Sequence, residues 1–359
     1  MKAIVIDDFE RRGGGQVYGL ALADSLENIR YSTFFLTNTE ELGDKKERIA
    51  FKVKYEFVEG ESKIMNLFKI FNLKKQLSKV DLRGFDLSIN NHPNVFVMKS
   101  DLNILHGFSF LDPWVDEDGN VIKIVPPILL KSIGLYDIYD GALFLPNSRY
   151  TLLISSKLFR FLDIDAVMGD VLYPPIIYSE PNVNEKKNQV LLMGRINPDK
   201  AIENAVEIAN EEGFKLVIAG YLNKGDESYY LKLKRKARMN VDILPNITNG
   251  QKETLMEESS TILSLNRKEN FGISIAEAMN KGCVPVVPRS GGPWLDILEE
   301  GKYGLGFSKK EEIGELVGKS FLYDSTDRYS IAKSVERFSM PSFEKRLKQI
   351  ADDVISSHR

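Results

Sequence analysis

Residues 260–289 read "STILSLNRKENFGISIAEAMNKGCVPVVPR". The segment opens on a short β-branched run, "STILSLN" at 260–266, and closes on another, "CVPVVPR" at 283–289. Between them lie a polar loop, the Phe271-Gly272 step and a run from Ile273 to Met279 that is apolar on several faces of a helix. Strand, loop, helix and strand within about 30 residues make one βαβ unit. Apolar runs that do not alternate with polar residues are covered on both faces, as the strands of a parallel sheet are. Two carboxylates interrupt the unit, Glu269 and Glu277, with seven residues between them. Glu269 falls in the loop at the strand's carboxyl end and Glu277 about one turn into the helix. A carboxylate on a buried helix is costly unless something pairs with it.

The same alternation extends in both directions. Downstream and upstream in the second half run "QVLLMGRI" (189–196), "FKLVIAGY" (214–221), "NVDILPNI" (240–247) and "YGLGFS" (303–308), with helical stretches such as "DKAIENAVEIANEEG" between them. The first half repeats the plan: "KAIVIDD", a glycine turn, "QVYGLALADSLEN", then "YSTFFLTN", "KVKYEFVE", a helix through 62–79, "FDLSINN", "NVFVMKS" and "ALFLPNS". Within it "DPWVDEDGNVIKI" reads as a β-hairpin with Asp118-Gly119 at the turn. The proline-rich polar stretch "YPPIIYSEPNVNEKKNQ" (173–189) has the composition of a hinge. The expected fold is α/β, with two Rossmann-like domains facing across a cleft. Ligands in such folds bind at the carboxyl ends of the strands.

Composition removes several function classes. The formal net charge of −3 does not suit a nucleic-acid binder. No apolar run reaches membrane-spanning length, and "MKAIVIDDFE" is no signal peptide but a strand, which suggests a cytoplasmic protein. One cysteine, Cys283, and three histidines (His92, His106, His358) leave no disulfide framework and no Cys/His zinc site. Asp163-Ile164-Asp165 resembles a metal signature but follows an amphipathic helix instead of a strand. Gly13-x-Gly15-x3-Gly19 imitates a dinucleotide fingerprint, yet "FERR" separates it from its strand. No metal and no cofactor are expected.

A second segment, "LLMGRINPDKAIENA", puts Gly194-Arg195 at a strand end and Lys200 in the first turn of a helix started by Pro198-Asp199. A lysine there opposes the helix dipole unless an anion sits beside it. Arg195 can grip a phosphate bidentately, and Lys200 adds a point charge. Gly272 allows close backbone approach, and the helix end that follows offers unpaired N–H groups to a phosphate. A ligand with both phosphate and vicinal hydroxyls accounts for all of these. The spacing also allows a capping Glu269, a Glu277 paired with some lysine, and an Arg195 and Lys200 on a solvated loop.

Gly194-Arg195 with Lys200, then "VIAG", then Glu269-x7-Glu277 within "ENFGISIAEAMNKGCVPVV", then "SGGP", resembles the retaining GT-B glycosyltransferases of family 4. The resemblance is tight over about 190–300 and collinear elsewhere. It implies a nucleotide-sugar donor, retention, and catalysis without a metal or other cofactor. It assigns Glu269 to the donor sugar, Glu277 to the ribose, and Arg195 and Lys200 to the diphosphate. Gly194, Phe271, Gly272 and Ile273 would line the donor site. Gly14 and Gly15 would belong to a glycine loop facing it, and His106 in "NILHGF" would lie near the donor sugar. "YPP" at 173–175 and "SGGPWLDI" resemble lipid-linked-oligosaccharide mannosyltransferases, which favours GDP-mannose over a UDP-sugar and a lipid-linked or other glycan hydroxyl as acceptor. No protein general base is assigned. The alternatives are a nucleotide-sugar epimerase of the same fold and a non-catalytic partner subunit.

Two further stretches carry expectations. "SKIMNLFKIFNLKKQLSKV" is basic and amphipathic and suits either a sheet-covering helix or a peripheral contact with an anionic membrane through 62–79. Phe343, Leu347, Ile350 and Val354 make one apolar stripe after Met340-Pro341. The resemblance implies that this last helix crosses back to the N-terminal domain. The expected division is 1–178, 179–335 and 336–359.

Overall fold

Continuous apolar runs become parallel strands in both halves. The computed structural model describes residues 1–9, 14–39, 42–55, 63–107, 116, 118, 120, 137–183 and 185–357. The chain forms two compact units, Met1–Pro175 with Met340–Arg359, and Ile176–Ser339.

In the N-terminal unit the strands are β1 (Lys2–Ile6), β2 (Ser32–Thr37), β3 (Ile49–Lys52), β4 (Leu87–Asn90), β5 (Leu102–Leu105), β6 (Leu143–Pro146) and β7 (Val167–Met168). They pair in parallel in the order β3-β2-β1-β4-β5-β6-β7. β4 and β5 are buried at every position, as strands covered on both faces must be. The order reverses between β1 and β4, which opens a crevice at their carboxyl ends. Helix α1 (Gly14–Asn28) follows β1, so Gly14 and Gly15 are the first residues of a helix and not a loop. Gly13 lies outside the described residues. Helix α2 (Lys63–Leu77) buries Leu73 and Leu77 beside Ile4 and Leu36, so its second half covers the sheet. Helix α3 (Arg149–Leu162) is capped by Ser148, whose hydroxyl accepts from Thr151 N, and is closed by Asp163 in left-handed conformation. The strands of the expected hairpin near Asp118 lie outside the described residues. At its turn, the Asp116 carboxylate accepts the N–H groups of Asp118 and Asn120 at 3.0 and 2.8 Å.

The C-terminal unit contains β8 (Lys187–Met193), α4 (Ile202–Glu212), β9 (Lys215–Gly220), α5 (Glu227–Lys236), β10 (Val241–Pro245), α6 (Asn249–Glu258), β11 (Ser259–Leu263), α7 (Ile273–Asn280), β12 (Val284–Pro288), β13 (Leu305–Phe307), α8 (Ile313–Phe321) and α9 (Ser325–Ser334). Its strands are again all parallel, in the order β10-β9-β8-β11-β12-β13. Here the order reverses between β8 and β11.

Ser339 is extended, and the chain then enters α10 (Met340–Ser357) with Pro341 at its second position. Proline is tolerated there because the N–H it lacks would have had no intrahelical partner. The stripe residues Phe343, Leu347, Ile350 and Val354 are all buried in one cluster with Ala21, Leu22 and Leu26 of α1. The last helix of the sequence is therefore part of the first unit's core.

Candidate functional site

The carboxyl ends of β8 and β11 bring together what the sequence keeps far apart. β8 delivers Gly194 and Arg195, and Arg195 is exposed. Gly194 passes so close to the end of β9 that a Cβ on Gly220 would lie 1.8 Å from the Gly194 carbonyl oxygen. Lys200 lies in a single 3-10 turn, Pro198–Lys200, which ends in a left-handed Ala201 before α4 begins. It therefore precedes the helix and is not part of its first turn.

Lys200 Nζ pairs with Glu269 Oε2. Their side chains are 22 % and 21 % exposed. This corrects the argument that Lys200 needs an external anion, because Glu269 supplies the opposite charge. Asn266 Nδ2 also donates to Glu269 Oε2, at 3.2 Å. Burial works to raise the pKa of the Glu269 carboxyl, but Lys200, Asn266 and nearby Arg195 outweigh it and hold it below the usual carboxylate range. Glu269 is thus an ionised acceptor paired with Lys200, with Arg195 near enough to act on it through its charge.

The loop carrying Glu269 is clamped from behind by "SGGP". Gly292 N–H donates to Glu269 O at 2.8 Å, and Ser290 Oγ donates to Arg267 O at 3.0 Å. Gly292 has ordinary helical angles (φ −60, ψ −40), so glycine is needed there for space: a Cβ would lie 2.0 Å from Asn270 O.

Gly272, at φ 96, turns the chain into α7. Ser274 Oγ donates to Met193 O at 3.2 Å and ties the first turn of α7 to the end of β8. The N-terminus of α7 thus stands beside the end of β8, and Gly272 and Ser274 line one small cavity with Met193, Lys200 and Glu269. Phe271 is different: its ring is 2 % exposed and stacks edge-on against Phe338 at 5.0 Å. Its side chain is core, which corrects its expected place in the donor site.

Glu277, on α7, pairs with Lys252 Nζ at 2.6 Å. The question raised by a carboxylate on a buried helix is answered by a lysine from α6, whose start is fixed by a capping box of Thr248 and Gln251. Lys252 and Asn266 were missed from sequence. Asn266 stands three residues before Glu269, where a short amide can turn back onto the carboxylate, but Lys252 carries no local signal.

The N-terminal calls fall at the carboxyl end of the other sheet. His106 follows β5, and both its ring nitrogens are engaged, Nε2 with Asn91 Oδ1 at 2.8 Å and Nδ1 with Asn147 Nδ2 at 3.2 Å. Burial, and then His92 nearby, push its pKa down to about 3. His106 is a neutral ring with both nitrogens bonded to asparagine side chains of its own unit. Gly15 lies against His92, with a Cβ position 3.0 Å from His92 Nε2. Among the described residues no cluster of His, Cys, Asp and Glu could hold a metal ion.

Residues 176–333 match the family described as Glycosyl transferases group 1. The GDP-Man:Man(3)GlcNAc(2)-PP-Dol alpha-1,2-mannosyltransferase of Candida albicans is 28 % identical over 180 residues, 43 % of this chain and 29 % of that protein. A probable sucrose-phosphate synthase of Thermosipho melanesiensis is 30 % identical over 201 residues, 50 % of this chain and 47 % of the relative. The chain therefore spans less than half the length of either. Among solved structures, sucrose-phosphate synthase from Thermosynechococcus elongatus superposes with a TM-score of 0.72 at 14 % identity, covering 99 % of both chains. Anabaena Alr3699/HepE, solved in complex with UDP and glucose, gives 0.67 at 14 % identity over 98 % of this chain and 100 % of its own. Residues 176–333, nearly the whole C-terminal unit, thus resemble the Glycosyl transferases group 1 family, and the two all-parallel Rossmann-like units give the chain the GT-B fold of these solved structures.

Proposed function

We propose that the chain is a retaining, metal-independent glycosyltransferase that moves a hexose from a nucleoside-diphosphate sugar to a hydroxyl acceptor. The observation that carries this is the grouping of Arg195, the Lys200–Glu269 pair and the start of α7 at the switch point of the C-terminal sheet. Loss of a nucleoside diphosphate places negative charge on its terminal phosphate. Two cations and a helix N-terminus, gathered at this point, stabilise that charge. Lys200 turns toward the phosphate as the donor enters, and Glu269 then accepts hydroxyl hydrogens from the sugar. An ionised carboxylate has about four acceptor positions. Lys252 occupies one on Glu277 and leaves others for the ribose hydroxyls.

GDP-mannose is the favoured donor, because a curated relative is named for GDP-Man. A UDP-sugar is the second reading, because a solved neighbour holds UDP and glucose. A lipid-linked glycan is the favoured acceptor, since the same relative is named for a PP-Dol glycan. Peripheral membrane contact through α2 belongs to this reading.

Calorimetric titration of the full chain with GDP and UDP tests it. We expect one nucleotide to bind. Glu277→Ala should weaken that binding by about 1.5–3 kcal/mol, the worth of a charged hydrogen bond. A panel of labelled sugar nucleotides with lipid extract should give a glycosylated product in EDTA, with the donor's anomeric configuration kept. A strict Mn²⁺ or Mg²⁺ requirement would refute the metal-independent chemistry. A free epimerised sugar formed without acceptor would favour an epimerase instead.

A further inference from the structure

Glu269 and Glu277 are each paired with a lysine, but the two lysines stand on different footings. Lys200 lies on a single 3-10 turn that ends at the left-handed Ala201. Lys252 lies in the first turn of α6. An ammonium there works against the helix dipole, so the position is unfavourable without an anion beside it. Glu277 Oε2 supplies that anion at 2.6 Å.

Helix α6 is held at both ends. At its start Thr248 N donates to Gln251 Oε1 at 2.9 Å, and Gln251 N donates to Thr248 Oγ1 at 3.2 Å. At its end the Lys186 ammonium donates to Met256 O at 3.2 Å and to Glu257 O at 2.7 Å. The same ammonium donates to Lys281 O, just past the end of α7. Lys281 Nζ adds an ion pair with Glu257 Oε1 at 3.1 Å. The carboxyl ends of α6 and α7 are therefore bolted together, and the backbones that carry Lys252 and Glu277 are fixed relative to each other.

Glu277 stands three residues after Ser274, so both lie on one face of α7. Ser274 Oγ is tied to Met193 O at the end of β8, so that face looks toward the strand end that delivers Gly194 and Arg195. The pair is not sealed: the side chains of Lys252 and Glu277 are 32 % and 16 % exposed. Among the described residues neither Lys252 Nζ nor Glu277 Oε1 has a further polar partner.

Two unlike groups are thus offered side by side. Glu277 Oε1 only accepts hydrogen, and Lys252 Nζ only donates it. A carboxylate alone would ask a ligand for two donors. A carboxylate oxygen beside an ammonium asks for one donor and one acceptor. A phosphate would suit Nζ but be repelled by Oε1, and an amine would meet the reverse. Two hydroxyls on neighbouring carbons satisfy both, because one gives its hydrogen to Oε1 while the other turns its oxygen to Nζ.

We propose that Lys252 binds the nucleotide sugar directly and shares its ribose diol with Glu277, Nζ donating to the oxygen of one hydroxyl and Oε1 accepting the hydrogen of its neighbour. This rests on the transferase reading above and divides between two residues the diol given there to Glu277. The site then reads the two hydroxyls by separate groups, and a nucleotide that lacks either one leaves a different group unpaired.

Calorimetry of the full chain with GDP and UDP identifies the nucleotide that binds, and its 2′-deoxy and 3′-deoxy forms are then titrated. The wild type should bind each deoxy form roughly 10-fold or more weakly than the full nucleotide. Lys252→Met should bind one deoxy form as tightly as it binds the full nucleotide and still reject the other. Lys252→Arg keeps the charge and the donors and should restore rejection of both. Thermal melting of each variant checks the fold. Lys252→Gln, a more polar replacement, is read in the same way and covers the case in which methionine disturbs α6. A Lys252→Met chain that rejects both deoxy forms as the wild type does overturns the proposal. So does one that loses both rejections together, because Lys252 would then only support Glu277. A wild type that binds the nucleotide but does not distinguish its deoxy forms overturns this proposal alone. A wild type that binds neither GDP nor UDP refutes the transferase reading, and the assignment of Lys252 falls with it.

Discussion

Gly292→Ala isolates the clamp behind the Glu269 loop. Alanine is at ease with the backbone angles of Gly292, and without a clash the change would stabilise by about 0.4–1 kcal/mol through the unfolded chain. The contacts reverse that sign. The new Cβ would lie 2.0 Å from Asn270 O, 2.7 Å from Asn270 C and 2.9 Å from Phe271 Cα. All three are backbone atoms, so no side chain can swing aside. The loop must retreat by roughly 1 Å, and a misplacement of that size is worth about 10²-fold in rate when it moves a catalytic group. Glu269 is one residue away, and its carbonyl is held by the Gly292 N–H. Overpacking of this kind costs about 1–3 kcal/mol. The melting transition of the C-terminal unit should therefore fall by roughly 2–12 °C. Differential scanning calorimetry and initial rates with the accepted sugar nucleotide test both halves. A variant with wild-type kcat and an unchanged or raised Tm would show that the clamp does not position Glu269.

Two other perturbations probe separate parts of the molecule. Leu347→Ala removes a fully buried side chain from the α1–α10 contact and should cost about 2–5 kcal/mol, read as an earlier denaturant midpoint for the N-terminal unit, whereas an unchanged midpoint would contradict the packing of α10. Lys200→Met should raise the Glu269 pKa, because burial then acts with less opposition. A depressed carboxylate contributes stability that is full above its unfolded pKa and is lost as pH falls through its folded one, so the variant should start losing stability at higher pH than the wild type when Tm is followed from about pH 7 to about pH 3.

Much of the architecture could be read from the chain because its cause is local. An unbroken apolar run such as "VPVVP" can only be a strand covered on both faces, and the structure buries all five residues. The stripe of α10 was readable for the same reason. The site was readable in its residue types but not in its pairings. Lys200 and Glu269 are 69 residues apart, so no local window of sequence contains the pair. The reading of Lys200 as an anion ligand used only its own turn and could not see the carboxylate that loops back to it. The glycines at 14 and 15 were read as a loop because the resemblance places a glycine loop after the first strand. Gly15 sits within α1 because a side chain there would press on His92, a tertiary demand that outweighs propensity.

The place of α10 in the core of the first unit has a consequence for how the chain is made. Ser25 on α1 meets Met340 across 315 positions, and the buried stripe extends to Val354. The N-terminal unit is synthesised first, yet its core stays open until almost the last residue of this sequence has left the ribosome. The C-terminal unit is continuous from Ile176 to Ser339, so all of its residues are translated before α10. The part translated second is thus the part that can finish folding first. Until α10 docks, the groove on α1 lined by Ala21, Leu22 and Leu26 is open apolar surface, of the kind that chaperones recognise on a nascent chain.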